Sequence, residues 1–197
     1  MQLVVSDDMV IELKDMNEEE FYEFCGDNEN YRIERTARGA ILILAPAGGE
    51  TGNQNADLTE QLRRWAKADR RGKTFDSNTG FHLPNGAILS PDAAWVLRSR
   101  LAPLTRAQRR RFLPLGPDFL VELTSPSDRL SKVEEKMREW MDNGAQLGWL
   151  LDVDSYRVHI YRPGGVVEVL DAPERVAGEG PVEGFVLELT EIWEPDW

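Results

Sequence analysis

Two carboxylates stand where apolar residues are the rule. FLVEL (119–123) sets bulky apolar side chains around Glu122, and Asp92 follows Pro91 at the start of another apolar run, AAWVL (93–97). Such runs make buried strands, where an unpartnered carboxylate costs several kcal/mol. A hard cation such as Mg2+ or Mn2+ would lift that cost, because these ions take oxygen ligands. The backbone carbonyl of Leu123, beside Glu122 on the same strand, could complete the set. The next segment, SDRLSKVEEKMREWMDNG (127–144), repeats Val133, Met137, Trp140 and Met141 at helical spacing. Lys136 lies in or at the edge of that apolar stripe, while Lys132, one turn earlier, is nearer solvent. A lysine turned toward a sheet needs a negative partner. An Asp, a Glu and a Lys around a cation form a phosphodiester-cleaving set. The metal polarises the phosphate and lowers the pKa of a water, and the lysine positions or activates that water. A plainer reading stands beside this one: Pro91-Asp92 is a common turn, and SPSD (125–128) an ordinary helix start.

Other chemistries find little support. The chain contains no GxxxxGK[ST], GxGxxG or GxSxG pattern. Its two histidines, His82 and His159, are too few and too scattered for a histidine-based metal site. His159, in RVHIY, reads as a strand residue on the outer face. The single cysteine, Cys25, excludes an internal disulfide framework and a Cys-rich zinc site, and fits a reducing cytoplasm. It reads as a small, partly buried side chain. A net charge of -12 argues against bulk nucleic-acid binding but leaves room for a local basic face. Arginine is clustered in RRWAKADRRGK (63–73) and RSRLAPLTRAQRRRF (98–112). Each cluster reads as a solvated surface; together they would make a nucleic-acid edge if both fell on one side of the fold. No apolar run approaches the roughly 20 residues of a membrane helix. The start, MQLVVSDDMVIELKD, lacks the marks of a signal peptide.

The elements that would position these residues follow from periodicity and punctuation. Residues 1–25 read as an N-terminal extension and a short acidic helix, with Asn17 as N-cap. YRIER (31–35) and AILILA (40–45) read as strands joined by a turn at Ala37-Arg38-Gly39. Leu58, Leu62 and Trp65 give one face of a long helix, with Gly72 as its stop. Asn85-Gly86 marks a tight turn. LTRAQRRRF (104–112) reads as a short helix on an excursion. DFLVEL, LGWLLDV (147–153) and RVHIYRPG (157–164) read as strands, and VVEVL (166–170) pairs with the last through Pro163-Gly164-Gly165. The helix between DFLVEL and LGWLLDV takes Ser127 or Asp128 as N-cap and Gly144 as C-cap. Residues 1–197 form one α/β domain, without repeat or linker.

PDFLVELTSPSDRL, the lysine after it, MREWMDNGAQLGWLLDV and VHIYRPG resemble the Uma-type restriction endonuclease family of the PD-(D/E)xK nuclease superfamily. GGETGNQNADLTEQL, FDSNTGFHLPNGAILSPDAAWV and GFVLEL are similar as well, so the resemblance runs along nearly the whole chain. It implies a restriction-endonuclease-like fold, a central mixed β-sheet flanked by helices. It sets the superfamily aspartate on Asp92 and the glutamate on Glu122, both as metal ligands. Thr124 stands where the superfamily has its lysine, and Lys136 matches a lysine supplied from the next helix. Glu34, in YRIER, matches an upstream family glutamate that would bind metal or orient water; an exposed strand glutamate is the alternative. Glu50 and Asn53 match a stretch that would line the pocket. The implied activity is that of a cytoplasmic, Mg2+- or Mn2+-dependent endonuclease acting on DNA, with RNA or a nucleotide as other phosphodiesters. A catalytically inactive binding module on the same fold is the competing reading. The resemblance also suggests a homodimer, with IWEPDW (192–197) as apolar contact, although Trp193 and Trp197 would equally cap the chain's own core.

Overall fold

The strand that carries Glu122 and the strand that Asp92 immediately precedes lie side by side within a six-stranded sheet. The computed structural model describes residues 10–11, through their backbone, and 16–196. The first half runs β1 (Val10–Ile11), α1 (Glu18–Asp27), β2 (Arg32–Arg35), β3 (Ile41–Leu44), α2 (Gly49–Asp69), β4 (Gly72–Asp76), β5 (Phe81–His82), β6 (Ile88–Leu89), β7 (Ala93–Leu97) and α3 (Arg98–Leu101). The second half runs β8 (Phe119–Leu123), α4 (Leu130–Asp142), β9 (Leu147–Asp152), β10 (Arg157–Tyr161), β11 (Glu168–Asp171), β12 (Arg175–Ala177), β13 (Val186–Glu188) and α5 (Thr190–Trp193). A six-stranded sheet has the order β11-β10-β9-β8-β7-β4, and a five-stranded sheet the order β1-β3-β2-β6-β5. In the larger sheet only β8 and β9 are parallel, with α4 as the crossover between them.

Strand alternation sorts the larger sheet into two faces. Trp95, Phe119, Val121, Leu123, Trp149 and Leu151 pack beneath Leu58 and Leu62 of α2. Ala94, Val96, Leu120 and Leu150 pack beneath Met137 and Trp140 of α4, together with Phe81 and Leu89 of the smaller sheet and Leu83 from the turn between them. By the same parity Glu122, two after Leu120, and Asp92, two before Ala94, belong to the α4 face. A third cluster joins Phe21 of α1 to Ile33, Ile41, Ile43 and Ile88. With Ile33 turned into that cluster, its neighbours Arg32 and Glu34 turn the other way.

Several local expectations need correction. Arg70, in the left-handed region at φ 62, ends α2; Gly72 instead opens β4. It must be glycine because an added Cβ would lie 2.1 Å from Cε2 of Trp95. α4 starts one residue after Arg129, because Asp128 is spent on the preceding turn, accepting from the Ser125 amide (2.8 Å) and hydroxyl (2.7 Å). Neither Ser127 nor Asp128 is the N-cap. At its other end Asn143 is the C-cap, with Gly144 next at φ 99. His159 is not on an outer face: it is buried on the α4 side of β10, and its Nε2 has no partner among the described residues. The excursion is a 3-10 turn at Gln108–Arg110, not an α-helix. Trp193 caps its own core, donating from Nε1 to the Pro173 carbonyl at 2.9 Å. Residues 1–9, 12–15 and Trp197 lie outside the described residues, and with them most of the expected N-terminal extension. Among the described residues no helix is long and apolar enough to cross a membrane.

Candidate active site

Four of the expected site residues, Glu34, Asp92, Glu122 and Lys136, meet on the α4 face at the C-terminal end of β8. Asp92 is fixed by backbone. Its amide donates to the Val121 carbonyl (3.1 Å), and its Oδ2 accepts from the Leu123 amide (2.8 Å). N–H and C=O of one strand residue point the same way, so the Leu123 carbonyl also faces the Asp92 side. Glu122 Oε1 accepts from the indole Nε1 of Trp140 at 2.8 Å. Glu34 is 3% exposed, which rules out the exposed strand glutamate, and its Oε1 accepts from the Ser90 amide at 3.0 Å.

Lys136 joins these groups. Its Nζ donates to Glu34 Oε1 (3.0 Å), the Ser90 carbonyl (2.9 Å) and Glu122 Oε2 (3.3 Å), and lies 3.1 Å from Glu122 Oε1. Three acceptors match the three N–H groups of an ammonium. Lys132 takes no part; it is exposed and paired with Glu135 at 2.8 Å. Thr124, in the superfamily lysine's place, is committed elsewhere. Its hydroxyl donates to the Leu151 carbonyl (3.2 Å) and accepts from the Val153 amide (3.0 Å), tying the ends of β8 and β9.

Two participants were hidden in the sequence. Trp140 read only as part of an apolar stripe, yet its N–H orients Glu122. Arg32 carried no signal beyond its charge, yet its Nη1 lies 3.1 Å from Asp92 Oδ1 and its Nη2 3.5 Å from Glu34 Oε1. Nη2 also donates to the Ser90 carbonyl. By contrast Glu50 and Asn53 are exposed on α2, which covers the opposite face of the sheet, and do not join the group.

Burial dominates the electrostatics. It pushes the Glu122 carboxyl up to about 7; Lys136 and Arg32 oppose this, and the nearby Asp92 and Glu34 add to it. For Lys136 burial acts to lower the pKa, but Glu122 and Glu34 outweigh it and the ammonium is held above its ordinary value. Arg32 is likewise raised, with burial opposed by Asp92, Glu34 and Glu122. Lys136 is therefore charged at neutral pH, and Glu122 titrates close to neutrality.

The donor types, carboxylate oxygens and a backbone carbonyl, fit a hard divalent cation. Among the described residues, however, no three acidic, histidine or cysteine side chains form a ready cation cage. The acidic oxygens are turned to Lys136 and Arg32 instead.

The arginine clusters meet in part, and far from this group. The Arg98 amide donates to the Arg71 carbonyl at 2.8 Å, which brings Arg70 and Arg71 beside Arg98 and Arg100. This is the opposite end of β7 from Asp92, about 20 Å away at 3.3 Å per residue. Two of these charges are spent: Arg71 pairs with Asp69 (2.6 Å) and Arg100 with Asp118 (2.9 Å). Arg111 turns away to α1, stacking 4.4 Å above Tyr22 and pairing with Glu19.

Comparison with known proteins places this arrangement. The family described as "Uma2: Putative restriction endonuclease" matches residues 18–190. The chain belongs to the Uma2 family. Among solved structures it is similar to one described as a putative nuclease belonging to DUF820, from Anabaena variabilis. The two share 21% sequence identity and a TM-score of 0.69, over 82% of this chain and 89% of the other. That likeness establishes the fold, a mixed sheet flanked by helices. No match was found among curated proteins. The Uma2 match spans every residue of the acidic group, from Arg32 to Trp140.

Proposed function

We propose that this Uma2 protein is a divalent-metal-dependent endonuclease that hydrolyses DNA phosphodiester bonds at the Asp92–Glu122–Lys136 group. One observation carries the reading: three carboxylates and a lysine converge at the end of two central strands, where nothing in the fold itself calls for them. Burying so much charge is a poor way to gain stability, and buried titratable clusters concentrate at functional sites. Membership of a family described as a restriction endonuclease supports the same reading.

In this reading Asp92 and Glu122, with the Leu123 carbonyl, hold Mg2+ or Mn2+. The ion would supply Lewis-acid polarisation of the phosphate and a water of lowered pKa. The chain's own residues do the rest. Trp140 and the Leu123 amide fix one oxygen each of Glu122 and Asp92, so the two carboxylates are oriented beforehand. Lys136, an ammonium, cannot act as base; it orients the attacking water and offsets the negative charge that gathers during attack. Glu34 holds Lys136 in that place. The basic end at Arg70 and Arg98 contacts phosphates away from the cut.

The test is cleavage. Supercoiled plasmid, single-stranded DNA and RNA are each incubated with the protein in Mg2+ and in EDTA. Nicking of the plasmid in Mg2+ alone is expected. Cleavage in EDTA, or of RNA only, would contradict the proposal. A second reading, a binding module that keeps the nuclease fold, draws on the way Arg32 and Lys136 already occupy the acidic oxygens. It predicts no cleavage of any substrate and a stable partner recovered from cells.

A further inference from the structure

Arg32 stands where a metal would have to stand. Asp92 Oδ2 is pinned on the Leu123 amide, which leaves Oδ1 for a cation, and Oδ1 carries the Arg32 guanidinium at 3.1 Å. The same guanidinium reaches toward Glu34 Oε1, at 3.5 Å. A single positive group thus covers the carboxylates of two different sheets.

Its hold is incomplete. The buried Nε of Arg32 has no hydrogen-bond partner among the described residues. A guanidinium seated permanently would use that donor, since buried N–H groups are nearly always paired. Lys136, with three acceptors, is the better-anchored cation of the pair. Arg32 also has more room to leave, its side chain being 24% exposed against 19% for Lys136.

Charge balance points the same way. A carboxylate that ligates a metal is deprotonated, so in the metal-bound state Glu34, Asp92 and Glu122 count as three negative charges, and Arg32 and Lys136 leave one of them over before the ion is counted. A divalent ion added on top would turn the buried group positive. A divalent ion that replaces Arg32 makes it neutral, the cheaper state in a low-dielectric setting.

We infer that Arg32 is a built-in counter-cation: it occupies the metal position in the metal-free protein, and a divalent ion binding Asp92 displaces it toward solvent. This rests on the metal-dependent reading above. It explains why, among the described residues, groups of suitable chemistry form no open cation cage.

The test pairs Mn2+ calorimetry on wild type and Arg32→Gln with melting curves in the presence and absence of Mn2+. The variant is expected to melt lower without metal, to bind Mn2+ at least about tenfold more tightly, and to recover its melting temperature when Mn2+ is added. Equal or weaker binding by the variant, where wild type binds, overturns the inference and leaves the metal reading standing. Absence of binding in both proteins overturns the two together. Removing a charge would tighten binding even without displacement, so displacement is also read in the wild type, by the arginine 15Nε signals on Mg2+ addition. This second reading needs no folded variant. An Arg32 signal that moves to a solvent-exposed position supports the inference; one unchanged at saturating Mg2+ refutes it.

Discussion

Lys136 is held by two carboxylates and a carbonyl, and the converse also holds: Glu34 and Glu122 tolerate burial because Lys136 lies between them. Lys136→Met should therefore cost about 3–5 kcal/mol of stability, since it strands two buried acids. Urea unfolding checks this. Adding Glu122→Gln should return part of the loss, because one stranded charge is then gone. A single variant as stable as wild type would refute the arrangement. Cys25 gives a second residue-scale expectation. Burial pushes its thiol up to about 11, with Arg35 pulling the other way. At pH 8 only about one thiol in a thousand is ionised. Alkylation should run about a hundredfold slower than for a thiol at the ordinary value of 9.0. A rate near that of a free thiol would contradict it. That Asp92, Glu122 and Lys136 come together was legible because a charge in or beside an apolar run demands a partner. Arg32 and the orienting role of Trp140 were not. The first depends on how the smaller sheet meets the larger one, and the second lies inside a stripe that reads as core.

The strands and helices follow from local rules wherever local rules decide. Asn17 caps α1 through a reciprocal bond with Glu20, as side-chain chemistry at that position dictates. Elements misread were those settled by distant contacts. Gly72 resembles a helix stop, yet its glycine is demanded by Trp95 across the β4–β7 pair. A Cβ added at Gly148, by contrast, would meet the methionine tips Met137 Cε (2.6 Å) and Met141 Cε (2.9 Å). Methionine tips can yield, but an indole locked in a core cannot. Gly72→Ala should cost about 1–3 kcal/mol and Gly148→Ala clearly less, as read from melting curves of the two variants. The reverse order would contradict the packing. The start of α4 was hidden for a related reason. Ser127 and Asp128 are good capping residues, but the loop uses Asp128 to close its own turn.

At the scale of the whole molecule, a net charge of -12 conceals a basic end. Sequence shows two arginine clusters but not that Arg71 and Arg98 become neighbours, because this depends on the antiparallel pairing of β4 with β7. It also hides that part of the second cluster leaves for α1. If the basic end grips phosphates, Arg70→Ala and Arg98→Ala should each weaken DNA binding without altering Mn2+ affinity. Each should also lower the slope of affinity against salt by about one unit. DNA titrations at several salt concentrations measure this, and unchanged slopes would take the basic end out of the account. The mixed α/β architecture itself was legible, since alternating strands and one long amphipathic helix admit few other arrangements.

The most direct measurement is plasmid nicking in Mg2+ by wild type and by Asp92→Asn, with melting curves to show that both are folded. Asp92→Asn keeps the shape of the side chain and removes its charge. The account predicts nicking by wild type and at least about a hundredfold loss in the folded variant. A folded variant that nicks at the wild-type rate would contradict the claim that the acidic group around Asp92 and Glu122 is where this protein does its chemistry.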